Sequence, residues 1–209
     1  MLLTYRLNEI YSHLIGDGLC DVGCDHGKLC VKAKLDGFKR VVATDISKPS
    51  LNKAIELAKS YGVEIEAVCT DGLSGVELDG IDNVVIAGMG GLEIINILTN
   101  APSRVKNYVL SPNTKNVELR KYLLENGYGI KRDYTIEDTK FYTIIVCGDY
   151  PKVDYSDAEI EFGKEYLSCS ASLKRLEKEY LTLKPVGVRL TNSERFSLLE
   201  ELFNESKRT

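Results

Sequence analysis

Leu19-Cys20-Asp21-Val22-Gly23-Cys24-Asp25-His26-Gly27 joins a short apolar run to an acidic, glycine-bearing turn. A segment of helical period from about Gly27 to Leu35 follows it. This is the form of a strand, a βα turn and a helix. In an open α/β sheet such a turn lies at the carboxyl edge of the strands, where ligands bind, and Gly23 lets the backbone approach a ligand closely. Further along the chain the alternation repeats. Strands are predicted at Leu19 to Val22, Arg40 to Thr44, about Glu64 to Cys69, Asn83 to Ala87 and Val105 to Leu110, with helices at Pro49 to Tyr61, Gly91 to Leu98 and Lys115 to Glu125. Tyr128 to Ile136 and Phe141 to Cys147, parted by polar residues, predict an antiparallel pair at the end. The expected fold class is α/β, a mostly parallel sheet covered on both faces and finished by an antiparallel strand.

Before the sheet, Leu7, Ile10, Tyr11 and Leu14 share one face of an amphipathic helix, with Arg6 off that stripe. After it the composition changes. Tyr166, Cys169, Leu173, Leu176, Tyr180 and Leu183 recur at alternating intervals of three and four, a heptad seam in a stretch from about Ser156 to Leu183. Pro185 and Gly187 break the pattern, and Thr191 with Glu194 predicts a capping box for a second helix carrying Phe196, Leu199 and Phe203. The reading is a sheet domain over residues 1–150 and a helical hairpin, a coiled coil, over 151–209, closing within one chain as a monomer.

With 27 basic and 31 acidic side chains, the net charge of −4 argues against a protein that coats nucleic acid nonspecifically. Local basic stretches remain: eight basic residues against five acidic from Arg104 to Lys140, and six against three from Lys174 to Arg195. Tyr122, Tyr128 and Tyr142 are candidates for base stacking, with core packing the alternative for most of them. No apolar run approaches the ~20 residues that span a bilayer, and the first residues lack the pattern of a signal peptide. The expected location is the cytoplasm, without membrane association. The six cysteines have no CxxC spacing and read as reduced, packed thiols with no metal.

The turn itself separates cofactors. A dinucleotide site prefers GxGxxG, whose second glycine makes room for pyrophosphate at a helix N-terminus. Here that position is Asp25, and a carboxylate repels a diphosphate but pairs with an ammonium or sulfonium. S-adenosylmethionine carries both cations and no phosphate. Asp45, followed by Ile46, comes directly after the second strand, where an acidic side chain accepts hydrogen bonds from ribose hydroxyls. Asp71-Gly72 follows the third strand and offers groups to an adenine edge. Ala87-Gly88-Met89-Gly90-Gly91 after the fourth strand leaves space for reacting groups. Each aspartate alone is more often a turn or cap residue than a ligand. Their recurrence at successive βα turns favours a nucleoside-cofactor site.

DVGCDHG, ATDI, TDGL, IAGMGG and the proline-asparagine of LSPN resemble the bacterial tRNA (adenine22-N1)-methyltransferase family, TrmK, over about Leu3 to Gly148 and more loosely beyond. The resemblance implies a Rossmann-like class I S-adenosylmethionine-dependent methyltransferase with a seven-stranded sheet and a C-terminal coiled coil. It implies that Asp21, Gly23, Asp25, Asp45, Ile46, Asp71, Gly72 and Gly88 surround the cofactor. The implied partner is tRNA. Asn113, Met89 and His26 become catalytic candidates, with Arg6, Pro112 and Asn113 on the substrate side; His26 has the alternative of capping its turn, and Arg6 that of a solvated helix arginine. The chain departs from the family pattern at Cys24, where serine is common, at Gly27 and Lys28, and at Ser111, where glutamine is common. Other acceptors, namely another RNA or a small molecule, stay open, as does a tRNA-binding module without turnover.

Overall fold

The computed structural model describes residues 1–184 and 193–206, with side chains of the last helix from 195 to 204. Seven strands form one sheet: β1 (Gly18–Val22), β2 (Arg40–Asp45), β3 (Glu66–Cys69), β4 (Asn83–Ala87), β5 (Asn107–Ser111), β6 (Gly129–Glu137) and β7 (Phe141–Gly148). Their order is β3-β2-β1-β4-β5-β7-β6. Neighbours among β1 to β5 are parallel, and β7 is antiparallel to both β5 and β6. The chain steps outward from β1 through β2 to β3 and then returns to lay β4 on the other side of β1. That reversal opens a crevice at the carboxyl ends of β1 and β4.

Helices α1 (Tyr5–Ser12), α2 (Lys28–Leu35), α3 (Lys48–Ser60), α4 (Gly91–Thr99) and α5 (Asn116–Glu125) accompany the sheet. Thr4 and Ser47 start α1 and α3 by accepting the backbone N–H of Leu7 and Ser50, each at 3.3 Å. Strand alternation then divides the core in two. Cys20, Val22, Val84, Ile86 and Leu110 pack with Ile94 of α4 and Leu119 of α5. Leu19, Val85 and Val109 pack with Ile10 of α1, Leu29 of α2 and Leu51 of α3. Leu7, Tyr11 and Leu14 join this second core, as their spacing predicts. Asp21, two positions after Leu19, shares its side of β1, so a carboxyl group enters a largely apolar layer.

The C-terminal part departs from the single predicted seam. It holds α6 (Asp157–Phe162), α7 (Ser170–Leu183) and α8 (Ser193–Ser206). Gly163, at φ +101°, interrupts the helix where the chain is pressed against Arg120 and Asp133, and the N–H of Glu165 donates to the Asp133 carbonyl at 3.0 Å. A tertiary contact thus overrides the helical period. Cys169 packs on the sheet side and Leu173 is exposed. The rest of the seam, Tyr166, Leu176, Tyr180 and Leu183, joins Phe162, Phe196, Leu199 and Leu202 in a third core. Tyr180 stacks on Phe203 with ring centroids 4.3 Å apart. Pro185, Gly187 and Thr191 lie outside the described residues, and the predicted Thr191–Glu194 box with them.

Two further expectations change. Cys69 is exposed rather than packed, because β3 is an edge strand, while Cys20, Cys24, Cys30 and Cys147 are buried. Many cations of the predicted basic stretches are neutralised: Lys106 by Asp82, Lys115 by Glu118, Arg120 by Asp133, Arg132 by Glu165, and Arg195 by Glu161 and Glu179. Tyr128 is buried, and Tyr122 packs against the first core. Among the described residues no helix is long and apolar enough to cross a membrane, and no group of three or more His, Cys, Asp or Glu is placed to hold a metal ion.

Candidate active site

A cavity of about 290 Å³ opens at the β1/β4 crevice. Its walls include Asp21, Gly23, Asp25 and His26 from the first βα turn, Val85 and Ala87 from β4, and Arg6 from α1. Five sequence-predicted residues therefore share one chamber. Gly23, Asp25 and Gly27 all have positive φ, at 71°, 50° and 65°. The left-handed conformation at Gly23 is cheap for glycine, and a Cβ there would collide with the Met89 side chain. The turn is held from β2, because the Thr44 carbonyl accepts the N–H of Gly23 at 2.8 Å and of Cys24 at 3.1 Å.

Asp21 is only 7% exposed. Among the described residues its one hydrogen-bond donor is the Cys30 thiol, 3.6 Å from Oδ2. Burial, with a smaller push from Asp45, raises its pKa to about 7. A carboxyl so placed accepts a proton or a cationic ligand at little cost. The same burial pushes the Cys24 thiol up to about 12 and that of Cys30 well above its ordinary value, so neither is a reactive thiolate.

Asp45 is fixed beside the turn. Its Oδ1 accepts the N–H of Ser47 at 2.8 Å, and its Oδ2 faces the N–H of Asp25 at 3.4 Å. Ile46, next to it, is 75% exposed. Asp71 is exposed at the β3 turn and Gly72 is buried, its carbonyl accepting the Thr44 hydroxyl at 3.0 Å. On the far side of β1, Asn113 ties two strand ends together. Its Nδ2 donates to the Gly88 carbonyl and its backbone N–H to the Met89 carbonyl at 2.8 Å. Pro112 beside it is buried. Ile46, Asp71, Gly72, Gly88, Pro112 and Asn113 thus lie at neighbouring strand ends of the same edge without lining the enclosed chamber. His26 Nε2 is 3.5 Å from Asp25 Oδ1.

Arg6 is placed differently from a solvated helix arginine. Half-buried, it donates from Nε and Nη2 to the Ser111 hydroxyl, at 3.2 and 2.9 Å, and from Nη2 to the Ser111 carbonyl at 3.1 Å. Its guanidinium lies 4.3 Å from the centre of the Tyr142 ring. Sequence reasoning missed Thr4, Leu7, Lys28 and Val85 as walls, whereas Ala87 belongs to the small-residue stretch that it placed at the site.

The family model described as a methyltransferase domain matches residues 3–145. The chain belongs to the methyltransferase-domain family. The matched stretch runs from just before α1 into β7, so this methyltransferase domain includes the whole chamber. A Mycoplasma pneumoniae protein named "Putative tRNA methyltransferase" is 33% identical over 136 residues, 63% of each chain. A Bacillus subtilis tRNA (adenine(22)-N(1))-methyltransferase is 28% identical over 153 residues, 69% of this chain and 64% of that one. The chain thus matches less than two thirds of the length of these curated relatives. M. capricolum TrmK, solved with S-adenosyl-homocysteine, is 26% identical, with a TM-score of 0.83 over 100% of this chain and 97% of that one.

Proposed function

We propose that this methyltransferase domain moves a methyl group from S-adenosylmethionine to N1 of an adenine in tRNA, position 22 being the expected site. The observation that carries the reading is the chamber at the β1/β4 crevice, whose buried Asp21 has no cation within ion-pair distance among the described residues. Support for the cofactor and acceptor comes from the likeness to TrmK with S-adenosyl-homocysteine and to the Bacillus subtilis enzyme. The donor set fits the cofactor, with carboxylates for its cationic end and a glycine turn beneath it.

In this reading Asp21 and Asp25 face the methionine ammonium and sulfonium, Gly23 lies under the cofactor, and Asp45 holds the ribose. Ile46 covers the adenine ring, and Asp71 with Gly72 meets its edge. When bound, S-adenosylmethionine supplies an electrophilic methyl group. The acceptor N1 already has a lone pair, so the residues at the β4 and β5 ends need only unstack, orient and enclose the base. Asn113 commits its Nδ2 to Gly88 and keeps Oδ1 to accept from the adenine amino group beside N1. Met89 and Gly88 shape the slot, Pro112 stiffens it, and His26 faces the substrate entrance.

Asp45→Ala is expected to weaken S-adenosylmethionine binding about tenfold or more in calorimetry, because both ribose hydroxyls lose their acceptor. Unchanged affinity would remove Asp45 from the ribose. Asn113→Ala should lower the methylation rate about tenfold or more while cofactor affinity stays within about threefold. Equal losses in both would make Asn113 a strut of the cofactor site instead.

The function is tested by incubating the protein with labelled S-adenosylmethionine and unmodified tRNA and counting label in the RNA. The neutralised cations of the 104–140 stretch favour one second reading, an acceptor smaller than tRNA. Label that stays out of tRNA and enters a small-molecule extract would select it; tRNA binding without any transfer would select a module. We also read the protein as a cytoplasmic monomer in which residues 151–209 form a helical appendage on a 1–150 catalytic domain. The separate third core supports that division, and light scattering tests the monomer.

A further inference from the structure

Asn113 stands on the short loop, Pro112 to Lys115, that joins β5 to α5. Lys115 there has φ +60°, a left-handed conformation that a residue with a side chain keeps only where its surroundings fix it. One set of restraints comes from the β4 end. Asn113 bonds the Gly88 and Met89 carbonyls, and the Gly91 N–H donates to the Thr114 carbonyl at 2.8 Å. A second set comes from the opposite side. Asn116, the first residue of α5, donates from Nδ2 to the Thr143 hydroxyl of β7 at 2.8 Å. The same buried hydroxyl accepts Nη1 of Arg175, on α7, at 3.1 Å. The carboxylates of Asp133, Glu161 and Glu179 are engaged by Arg120 and Arg195. Among the described residues the half-buried Arg175 therefore makes its one hydrogen bond to this threonine. A cavity of about 10 Å³ is all that remains between Arg175, Asn116 and their neighbours, about the space of one water molecule.

The helical tail thus reaches the Asn113 loop through a chain of three side chains. Leu176, Tyr180 and Leu183 of α7 belong to the third core, whereas Arg175 turns to β7 and donates a charge-assisted bond there. We propose that Arg175 is a positioning residue for methyl transfer: it holds the Thr143 hydroxyl against Asn116, which sets the start of α5 and with it the place of Asn113 at the acceptor slot. This rests on the methyl-transfer reading above. The tail is then part of the catalytic geometry as well as an appendage.

The test separates kcat from KM on tRNA and adds hydrogen exchange of the backbone amides from 112 to 119. Arg175→Met, and Thr143→Val, which keeps the threonine shape without its oxygen, should each lower kcat about tenfold. KM for tRNA and S-adenosylmethionine affinity by calorimetry should stay within about threefold, which also shows that both variants fold. Thr143→Ser restores the acceptor and should recover most of the rate. The double variant should be no slower than Thr143→Val alone, because both changes break one chain. In either single variant the 112–119 amides should exchange about threefold faster or more. An unchanged kcat with a raised KM for tRNA overturns the proposal and leaves Arg175 as a support of RNA binding. Additive losses in the double variant, or unchanged exchange, overturn it as well. The exchange does not depend on the acceptor: if the wild-type protein methylates no tRNA the functional reading fails, while faster exchange in Arg175→Met still shows that the tail holds the loop.

Discussion

Replacing Asp21 with asparagine is expected to abolish measurable S-adenosylmethionine binding and, in the same protein, to raise the melting temperature of the ligand-free form. Both effects have one cause. The carboxyl is 7% exposed and, among the described residues, its only hydrogen-bond donor is a thiol, so the ionised form is poorly solvated. Its folded-state pKa of about 7 stands above the ordinary carboxylate value. From about pH 4 to pH 7 the native protein therefore keeps a proton that the unfolded chain has released, and stability falls as pH rises through that window. By pH 8 the loss is complete and amounts to a few kcal/mol at most. Asparagine carries no charge, so this slope disappears and the ligand-free protein gains roughly 5 °C at pH 8. The amide also loses the attraction for an ammonium, at an expected cost of about a hundredfold or more in affinity. Thermal melts at pH 5 and pH 8, with calorimetry at pH 8, check both halves. A variant that binds the cofactor normally, or one that melts lower at pH 8, contradicts the assignment.

The second large effect lies away from the chamber. Arg120 on α5 meets Asp133 on β6 in a two-pronged ion pair, Nε to Oδ2 at 2.7 Å and Nη2 to Oδ1 at 3.0 Å, with side chains 2% and 0% exposed. Nη1 donates onward to the carbonyls of Ile160 and Glu161 at the end of α6, and the Tyr155 hydroxyl donates to Asp133 at 3.0 Å. This pair ties the sheet to the chain that follows it. Arg120→Met leaves Asp133 buried without its partner, and the expected cost is about 3–5 kcal/mol. Removing both charges in Arg120→Met/Asp133→Leu should recover part of that loss, because the desolvation cost falls away with the charges. Urea unfolding of the single and double variants gives the coupling directly. A single variant within about 1 kcal/mol of the parent would mean that water replaces the lost partner.

Most strands of the sheet were legible because they are short apolar runs, as in Val41–Ala43, Val84–Ala87 and Ile144–Cys147, with an aspartate or glycine at or just past the end. The aspartates and glycines of the site were legible for the same local reason: Asp21, Gly23, Asp45, Asp71 and Gly88 each stand at or next to the end of a strand. What was not legible depends on residues far apart in the chain. Arg6 and Ser111 are brought together only by the docking of α1 over the β5 end, and neither neighbourhood carries a trace of that contact. The helical tail misled for a related reason. Its three-four spacing fits one helix from Tyr166 to Leu183, but Tyr166 lies in the turn that follows Gly163, where the chain is pressed against the buried Arg120–Asp133 pair, and α7 begins only at Ser170. The basic stretches misled because counting charges along the chain does not reveal which of them meet a carboxylate.

The central claim is methyl transfer to N1 of an adenine in tRNA. Its most direct test is to methylate an unmodified tRNA transcript with the purified protein, digest it to nucleosides for mass spectrometry, and map reverse-transcription stops on the intact product. The account predicts 1-methyladenosine and a single new stop at adenine 22. Methyl groups appearing on another base or atom, or no product from a protein that binds S-adenosylmethionine and tRNA, would contradict it.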